Sequence, residues 1–485
     1  MSSAVASSNV PPSCHGGLEN LDDEHDYWIE EVEGTVPPAL EGTFYRNGPG
    51  RQRIGTERYG HWFDGDGMLC AFRFDQGRVH FRNRYVRTPK YEDETRAGAI
   101  RYRGFGTQIP GGLRKNLLKA PANPANTHSV CHAGRLLALY EGGRPWALDP
   151  QDLSTQGEWD FDGALAAGEV MSAHGRAHPF SGDYISFGAG MEGWGLRGPR
   201  PCLNLYRVNH AGTLYRRGRV SLDTMPFCHD FAITEHYALF FLGSIVFGNP
   251  IPILLGARTF SDLVRYDSAV PMQVLVVDLK DFSVARQFET SPGTIIHFGN
   301  AYEDGDEIVV DGMFADDFDA NETLKDVFNP DGRFNGGQYH RYRLNLRSGQ
   351  LQQESVTDTE SEFPTYNPRY TGRRNEVTYT AASVANGANS FFNALQRIPR
   401  EGAEQLLTLP PGTYGSEPVF AATADARHEE DGYLLSVVYN AFTHRSELHI
   451  LRAENIEDRV AVLRLPHHIP HQFHGQYQAR GAATP

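Results

Sequence analysis

Val274–Phe288, VLVVDLKDFSVARQF, is an apolar run that ends at Asp278, a short polar turn, and a second run that returns. Strand-like segments on either side of an Asp-bearing turn mark a β-hairpin. The same pattern stands at Ala71–Arg82 (AFRFDQGRVHFR, turning at Asp75), Trp146–Trp159 (WALDPQDLSTQGEW, Asp149), Leu205–Gly218 (LYRVNHAGTLYRRG, Asn209) and Tyr342–Ser355 (YRLNLRSGQLQQES, Asn345). A degenerate copy, LHILRAENIEDRVAVLRL, covers Leu448–Leu465. Successive turns lie 74, 60, 69 and 67 residues apart, which is room for four strands and long loops. At that period 485 residues hold about seven units, so the expectation is all-β: one seven-bladed β-propeller, whose radial repetition hides most strand edges. Unrelated hairpins in two β-sandwiches are the alternative. Helical spacing is confined to 252–264 (PILLGARTFSDLV) and 389–398 (NSFFNALQRI), expected as short helices in loops.

Composition agrees with a turn-rich folded chain. The 50 Gly and 29 Pro exceed the usual joint share of about 12%. A formal charge of −15 speaks against nucleic acid as a partner. Five scattered cysteines without a CxxC pair fit reduced thiols in a cytoplasmic protein. No secretory leader and no apolar run of spanning length is read from the chain. Residues 1–25 are expected as a flexible lead, 26–478 as a single domain and 479–485 as a tail.

Most of the 20 histidines, among them His15, His25, His210 and His428, stand beside turn or charged residues and are expected to be solvated, with His467, His468 and His471 a loose cluster. Four have a different setting: His174 in MSAHGRAHP, His229 in PFCHDFAIT, His297 in TIIHFGNAYE and His474 in PHQFHGQY. Their separations of 55, 68 and 177 residues are near one, one and three repeats. Residues recurring at blade spacing can face one axis, so these imidazoles could converge on one ion. An all-imidazole set suits Fe, Zn, Cu or Ni and names none of them. A ligating histidine usually gives its other N–H to a carboxylate. Glu141 in LALYEGG, Glu362 in SEFPTYN and Glu417 in YGSEPVF are candidates, with surface strand-end carboxylates as the plainer account.

At these residues the chain resembles the carotenoid cleavage oxygenases, and among them the cyanobacterial apocarotenoid 15,15′-oxygenases. The landmarks run in order from about Asp26 to Tyr477: EGTFYRNGPG (Glu41–Gly50), GHWFDGDGM (Gly60–Met68), ANTHSV (Ala125–Val130), SAHGRAHP (Ser172–Pro179), HDFAIT (His229–Thr234), HFGNAYE (His297–Glu303), SEPVF (Ser416–Phe420), EEDGYLL (Glu429–Leu435) and FHG (Phe473–Gly475). The resemblance implies a seven-bladed propeller with loops and short helices forming a dome over the metal face. It implies Fe(2+) held by His174, His229, His297 and His474, with Glu141, Glu362 and Glu417 bonded to three of them. It further implies Thr127 beside the open coordination position, and O2 as co-substrate cutting one C=C bond of an apocarotenal or apocarotenol into two carbonyls. For the 15,15′ bond the products would be retinal and a shorter dialdehyde. The family's AHPxxDP reads AHGRAHP here, so Gly175 and His178 depart from it. Lignostilbene-cleaving relatives tend to carry Lys before the residue matching Glu141; Tyr140 here favours a polyene.

An insoluble polyene must come from a bilayer or carrier. LFFLGSIVFGNPIPILLG (Leu239–Gly256) and YRGFGTQIPGGLRKNLLK (Tyr102–Lys119) combine apolar residues with Arg258, Arg114, Lys115 and Lys119, which suggests shallow insertion among headgroups. Leu239–Leu242 is expected as a core strand, and Phe247, Ile251, Ile253, Leu254 and Leu255 as the membrane contact, giving a cytoplasmic protein bound peripherally to membrane. No protein partner is indicated. The competing readings are the same chemistry at another bond or on a stilbene, and a metal-stabilised propeller that only binds. A calcium-dependent propeller hydrolase fits less well, because calcium prefers oxygen ligands.

Overall fold

The turn at Asp278 shows why the hairpin recurs. In the computed structural model, which describes residues 12–481 apart from 196–197, 330–331, 333, 335 and 385–390, the Asp278 side chain accepts the Lys280 N–H at 2.7 Å. The Asp278 carbonyl accepts the Phe282 N–H at 2.7 Å, and Phe282 turns the chain at φ 63°. Asp149 closes its turn in the same way, and Asn209 and Asn345 do so with small variations, the Asn345 side chain reaching the Ser348 N–H and the Asn209 carbonyl accepting the Gly212 N–H; Leu153, Gly212 and Gly349 take the left-handed conformation. Asp and Asn suit the site because their side chains reach an N–H two or three residues on. At Asp75 the loop shortens to Gln76 and Gly77, both at positive φ, as a two-residue hairpin requires.

Each of these hairpins forms two strands of a different antiparallel sheet. The strand Met272–Asp278 is almost wholly buried while its partner Val284–Thr290 buries Phe288 alone, the pattern of an inner and an outer strand. Four-, five- and six-stranded sheets follow one another along the chain, and one sheet of seven strands runs from Thr294–Asp304 to Gln405–Thr408 through the long strand Leu351–Thr365. Apolar clusters join each sheet to the next in sequence. A further cluster joins the last sheet to the first, packing Phe44, Phe72 and Phe81 with Leu435, Leu448 and Leu463.

The ring is closed twice by backbone pairing. The C-terminal strand His474–Ala479 lies along Gly42–Arg51, with Asn47 opposite His474. The N-terminal strand Glu31–Gly34 completes the sheet of Arg459–Arg464. These exchanges satisfy edges that would otherwise be open.

Several expectations are corrected. Residues 252–264 hold one helical turn, Ile251–Leu254. Ala394–Pro399 is a strand paired with Gln405–Thr408, so the stretch read as helix is an outer hairpin; its first two residues, 389–390, lie outside the described residues. A short apolar run carries no period long enough to separate strand from helix. The longest described helix, Pro89–Ala97, was legible and missed: Thr88 caps it by accepting the Tyr91 N–H, Pro89 opens it, and Gly98 ends it at φ 61°. Residues 12–25 are not a loose lead, since Cys14, Leu18 and Leu21 are buried. His25, expected in solvent, stacks on His467 at 4.0 Å between centroids. Leu239–Leu242 lies in the buried strand Tyr237–Leu242, as expected.

Candidate metal centre and substrate cavity

The innermost edge strands carry the four singled-out histidines. His474 begins His474–Ala479, His297 lies in Thr294–Asp304, and His174 and His229 shortly precede Gly175–Ala177 and Ala232–Ile233. The crowding there explains Gly175, where a Cβ would stand 2.2 Å from the Tyr184 ring. One ring nitrogen from each histidine lies within 4.8 Å of the other three. Nε2 of His229 is 3.0 Å from that of His174 and 3.2 Å from that of His297, which is 3.1 Å from that of His474. Metal–imidazole bonds of roughly 2.1 Å at right angles would separate adjacent nitrogens by about 3.0 Å, so the set fits one transition-metal ion.

The outer nitrogens fix the tautomers. His474 Nδ1 is 2.9 Å from Glu417 Oε1, His297 Nδ1 is 2.6 Å from Glu362 Oε2, and His229 Nδ1 faces Glu141 Oε1. Each carboxylate makes its Nδ1 a donor and turns the Nε2 lone pair toward the centre. Burial, reinforced by the neighbouring imidazoles, holds the His174 and His474 pKa values far below the ordinary range, which keeps these rings neutral. His229 titrates higher than usual: burial opposes its charge, but the Glu141 carboxylate prevails. Glu417 is pushed up to about 7 by burial, despite the opposing Arg46 charge.

Three supporting residues were not singled out in the sequence. Arg46, fully buried, donates to Glu417 Oε2 at 2.9 Å and to the carbonyls of Gln472 and Phe473. Asp230 stands 3.6 Å from His174 Nδ1, beyond hydrogen-bond range, and is held by Arg176 and by the N–H groups of Phe231 and Phe298. His128 Nδ1 reaches the carbonyl of Ala173 at 3.2 Å, bracing the residue before His174. A carboxylate next to His229 in HDF was the available signal for Asp230. His178 is bonded to the Glu235 carbonyl at 2.8 Å and by Ser181, away from the four-histidine set.

His229, His297 and His474 open onto a cavity of about 520 Å³, whereas His174 is not in its wall. The wall is rich in aromatic rings, including Phe63, Phe105, Phe227, Phe363 and Phe473, and among the described residues it has no Lys or Arg. Thr127 and Tyr140 line it, and burial raises the Tyr140 pKa so that the phenol stays protonated. A long, uncharged, apolar ligand matches such a wall.

Near the cavity, Ile251, Leu254 and Leu255 are more than half or about half exposed, beside Leu113, Leu117 and Leu118. Arg103 ties the two loops together through the carbonyls of Asn116, Lys119, Ile253 and Arg258. Phe247 is half-buried and lines the cavity. Ile253 departs from expectation: at 4% exposure it points inward and cannot join a surface contact. No described helix is long and apolar enough to cross a membrane.

Over residues 18–479 the chain matches the family described as retinal pigment epithelial membrane protein. It is 35% identical to apocarotenoid-15,15′-oxygenase of Synechocystis sp., covering 98% of both chains. It is 30% identical to carotenoid 9,10(9′,10′)-cleavage dioxygenase 1 of Phaseolus vulgaris, covering 91% of this chain and 85% of that one. The cobalt-substituted Synechocystis enzyme has the same fold, with a TM-score of 0.88 and 35% identity over 96% of this chain and 98% of that one. With the β-propeller architecture and the four-histidine centre, these matches place the chain in the retinal pigment epithelial membrane protein family of carotenoid cleavage oxygenases.

Proposed function

We propose that this oxygenase cleaves the 15,15′ double bond of apocarotenals or apocarotenols with Fe(2+) and O2, giving retinal from the ring-bearing end and a shorter product that, for an apocarotenal, is a dialdehyde. The observation that carries this reading is the juxtaposition of four convergent Nε2 atoms with an aromatic cavity that has no Lys or Arg among its described lining residues. Dividing the seven-stranded sheet at Leu351–Thr365 would give seven blades, the number this reading takes. The histidines then come from four blades, and Glu141, Glu362 and Glu417 from the other three.

His174, His229, His297 and His474 would hold the ion. Glu141, Glu362 and Glu417 would keep three of the rings oriented, each accepting from Nδ1 and leaving Nε2 to the ion. Bound there, Fe(2+) supplies activation of O2 toward an alkene. One C=C bond and O2 become two carbonyl groups, so the reaction needs no external reductant and no net proton. The chain's task is therefore to exclude water, hold the polyene against the wall, and present one bond; Thr127 lines the same cavity and would limit access to an open coordination position. A cytoplasmic protein resting peripherally on membrane, with Ile251, Leu254, Leu255 and the adjoining leucines in the headgroup layer, would receive its substrate directly.

The test is metal analysis combined with aerobic and anaerobic turnover of 8′-apocarotenal and resveratrol, the products identified by chromatography and mass. Retinal formed only with O2 and only by iron-loaded protein is expected. Aldehydes from another bond, or from resveratrol, would move the substrate assignment. Absence of O2 uptake in iron-loaded protein would leave a metal-stabilised binding propeller.

A further inference from the structure

From Pro12 onward the N-terminal segment packs behind the aromatic wall of the cavity. Cys14 and Leu18 are each 1% exposed, in the short 3₁₀ turn Cys14–Leu18. They belong to one apolar cluster with Trp62, Phe334, Phe391, Phe392 and Phe473. All five of those aromatic residues also line the cavity. The segment is fastened in place: Tyr414 donates to the Pro12 carbonyl at 2.8 Å, and the His471 N–H donates to the Gly17 carbonyl at 2.7 Å. His471 Nε2 lies 3.1 Å from the Cys14 carbonyl, and its ring packs on Phe391 at 4.2 Å and lines the cavity itself. The fit leaves no slack, because a Cβ on Gly17 would stand 2.4 Å from His471 Nε2.

A ring in a cavity wall can yield to a ligand only if there is space behind it, and close packing leaves none. We propose that residues 12–18 are a backstop of the substrate cavity, setting how far a polyene advances past the imidazoles and therefore which double bond is cut. The proposal rests on reading the cavity as the polyene site. It assigns part of the cleavage specificity to a segment far in sequence from the centre.

The experiment uses the full-length, iron-loaded chain with Leu18→Ala and Leu18→Met, apocarotenals of several lengths, and iron content measured alongside product identity. Leu18→Ala is expected to keep its iron and to change the ratio of cleavage products, or the kcat/KM preference between long and short substrates, by about tenfold, the scale of small volume changes in an apolar pocket. Leu18→Met, which refills the volume, is expected to restore the parental ratio. An unchanged ratio and preference in iron-containing Leu18→Ala overturns the proposal. Should Leu18→Ala lose iron or fail to fold, Cys14→Ala, a smaller deletion in the same cluster, decides by the same ratio. A parent chain that cleaves no apocarotenal removes the functional reading itself, a result distinct from an active parent whose specificity ignores Leu18.

Discussion

At the residue scale, the centre is a set of imidazoles whose orientation is imposed from behind. Removing an imidazole leaves three donors, and His474→Ala also vacates the position opposite Asn47 where the ring of sheets closes. Iron content and turnover are expected to fall together in His474→Ala; full activity there would sink the ligand assignment. Glu417→Gln keeps the shape but weakens the hold on Nδ1, and activity or iron affinity is expected to drop about 10- to 100-fold. Arg46→Leu acts differently, since it strands a buried carboxylate. A loss of roughly 3–5 kcal/mol, read from denaturant unfolding, is expected unless Glu417 takes a proton. The four histidines and three glutamates were recognisable in the sequence because each sits in its own short motif. Which glutamate serves which histidine was not recognisable: Glu417 meets His474 and Glu362 meets His297 across blades.

At the element scale, the loop at Ile251–Leu254 shows how one turn of helix sorts neighbours in the sequence. Ile253→Asp buries a charge and is expected to lower thermal stability, whereas Leu254→Asp and Leu118→Asp should leave stability nearly intact and weaken sedimentation with liposomes. Equal liposome binding by the doubly charged variant would remove the membrane reading. The N-terminal segment gives a pH dependence. Burial holds His467 down to about 4 and His471 down to about 3, with His468 adding to both shifts. Below about pH 6.5 the unfolded chain takes up protons that the folded chain refuses, so stability falls as the pH drops toward 4. Thermal unfolding of metal-free protein is expected to worsen steadily from pH 7 to pH 5, with a shallower slope in His467→Phe. The apolar letters of NSFFNALQRI were compatible with either helix or strand, and only the pairing of Ala394–Pro399 with its neighbours on both sides decided between them.

At the scale of the whole molecule, the fold stands on apolar clusters between successive sheets and on two strand exchanges, with the four histidines meeting at the centre. Chelation is therefore expected to abolish turnover while the β-type circular dichroism persists. Ligand linkage predicts a stability loss of about 3–4 kcal/mol relative to protein with free metal at 100 to 1,000 times its dissociation constant, visible as a lower Tm. Collapse of the β signal on chelation would show that the ring needs its ion to form. The sequence by itself determined the hairpin repeat and the imidazole set. Those are short-range properties: an Asp or Asn side chain reaches two or three residues along the turn, and a histidine motif is read in place. Tertiary structure alone decided the pairing of carboxylates with imidazoles, the inward turn of Ile253, and the anchoring of residues 12–25. Each depends on which surfaces meet when the ring closes, and hydrogen bonds spanning 402 and 457 residues, Tyr414 to Pro12 and His471 to Cys14, have no signature in local sequence.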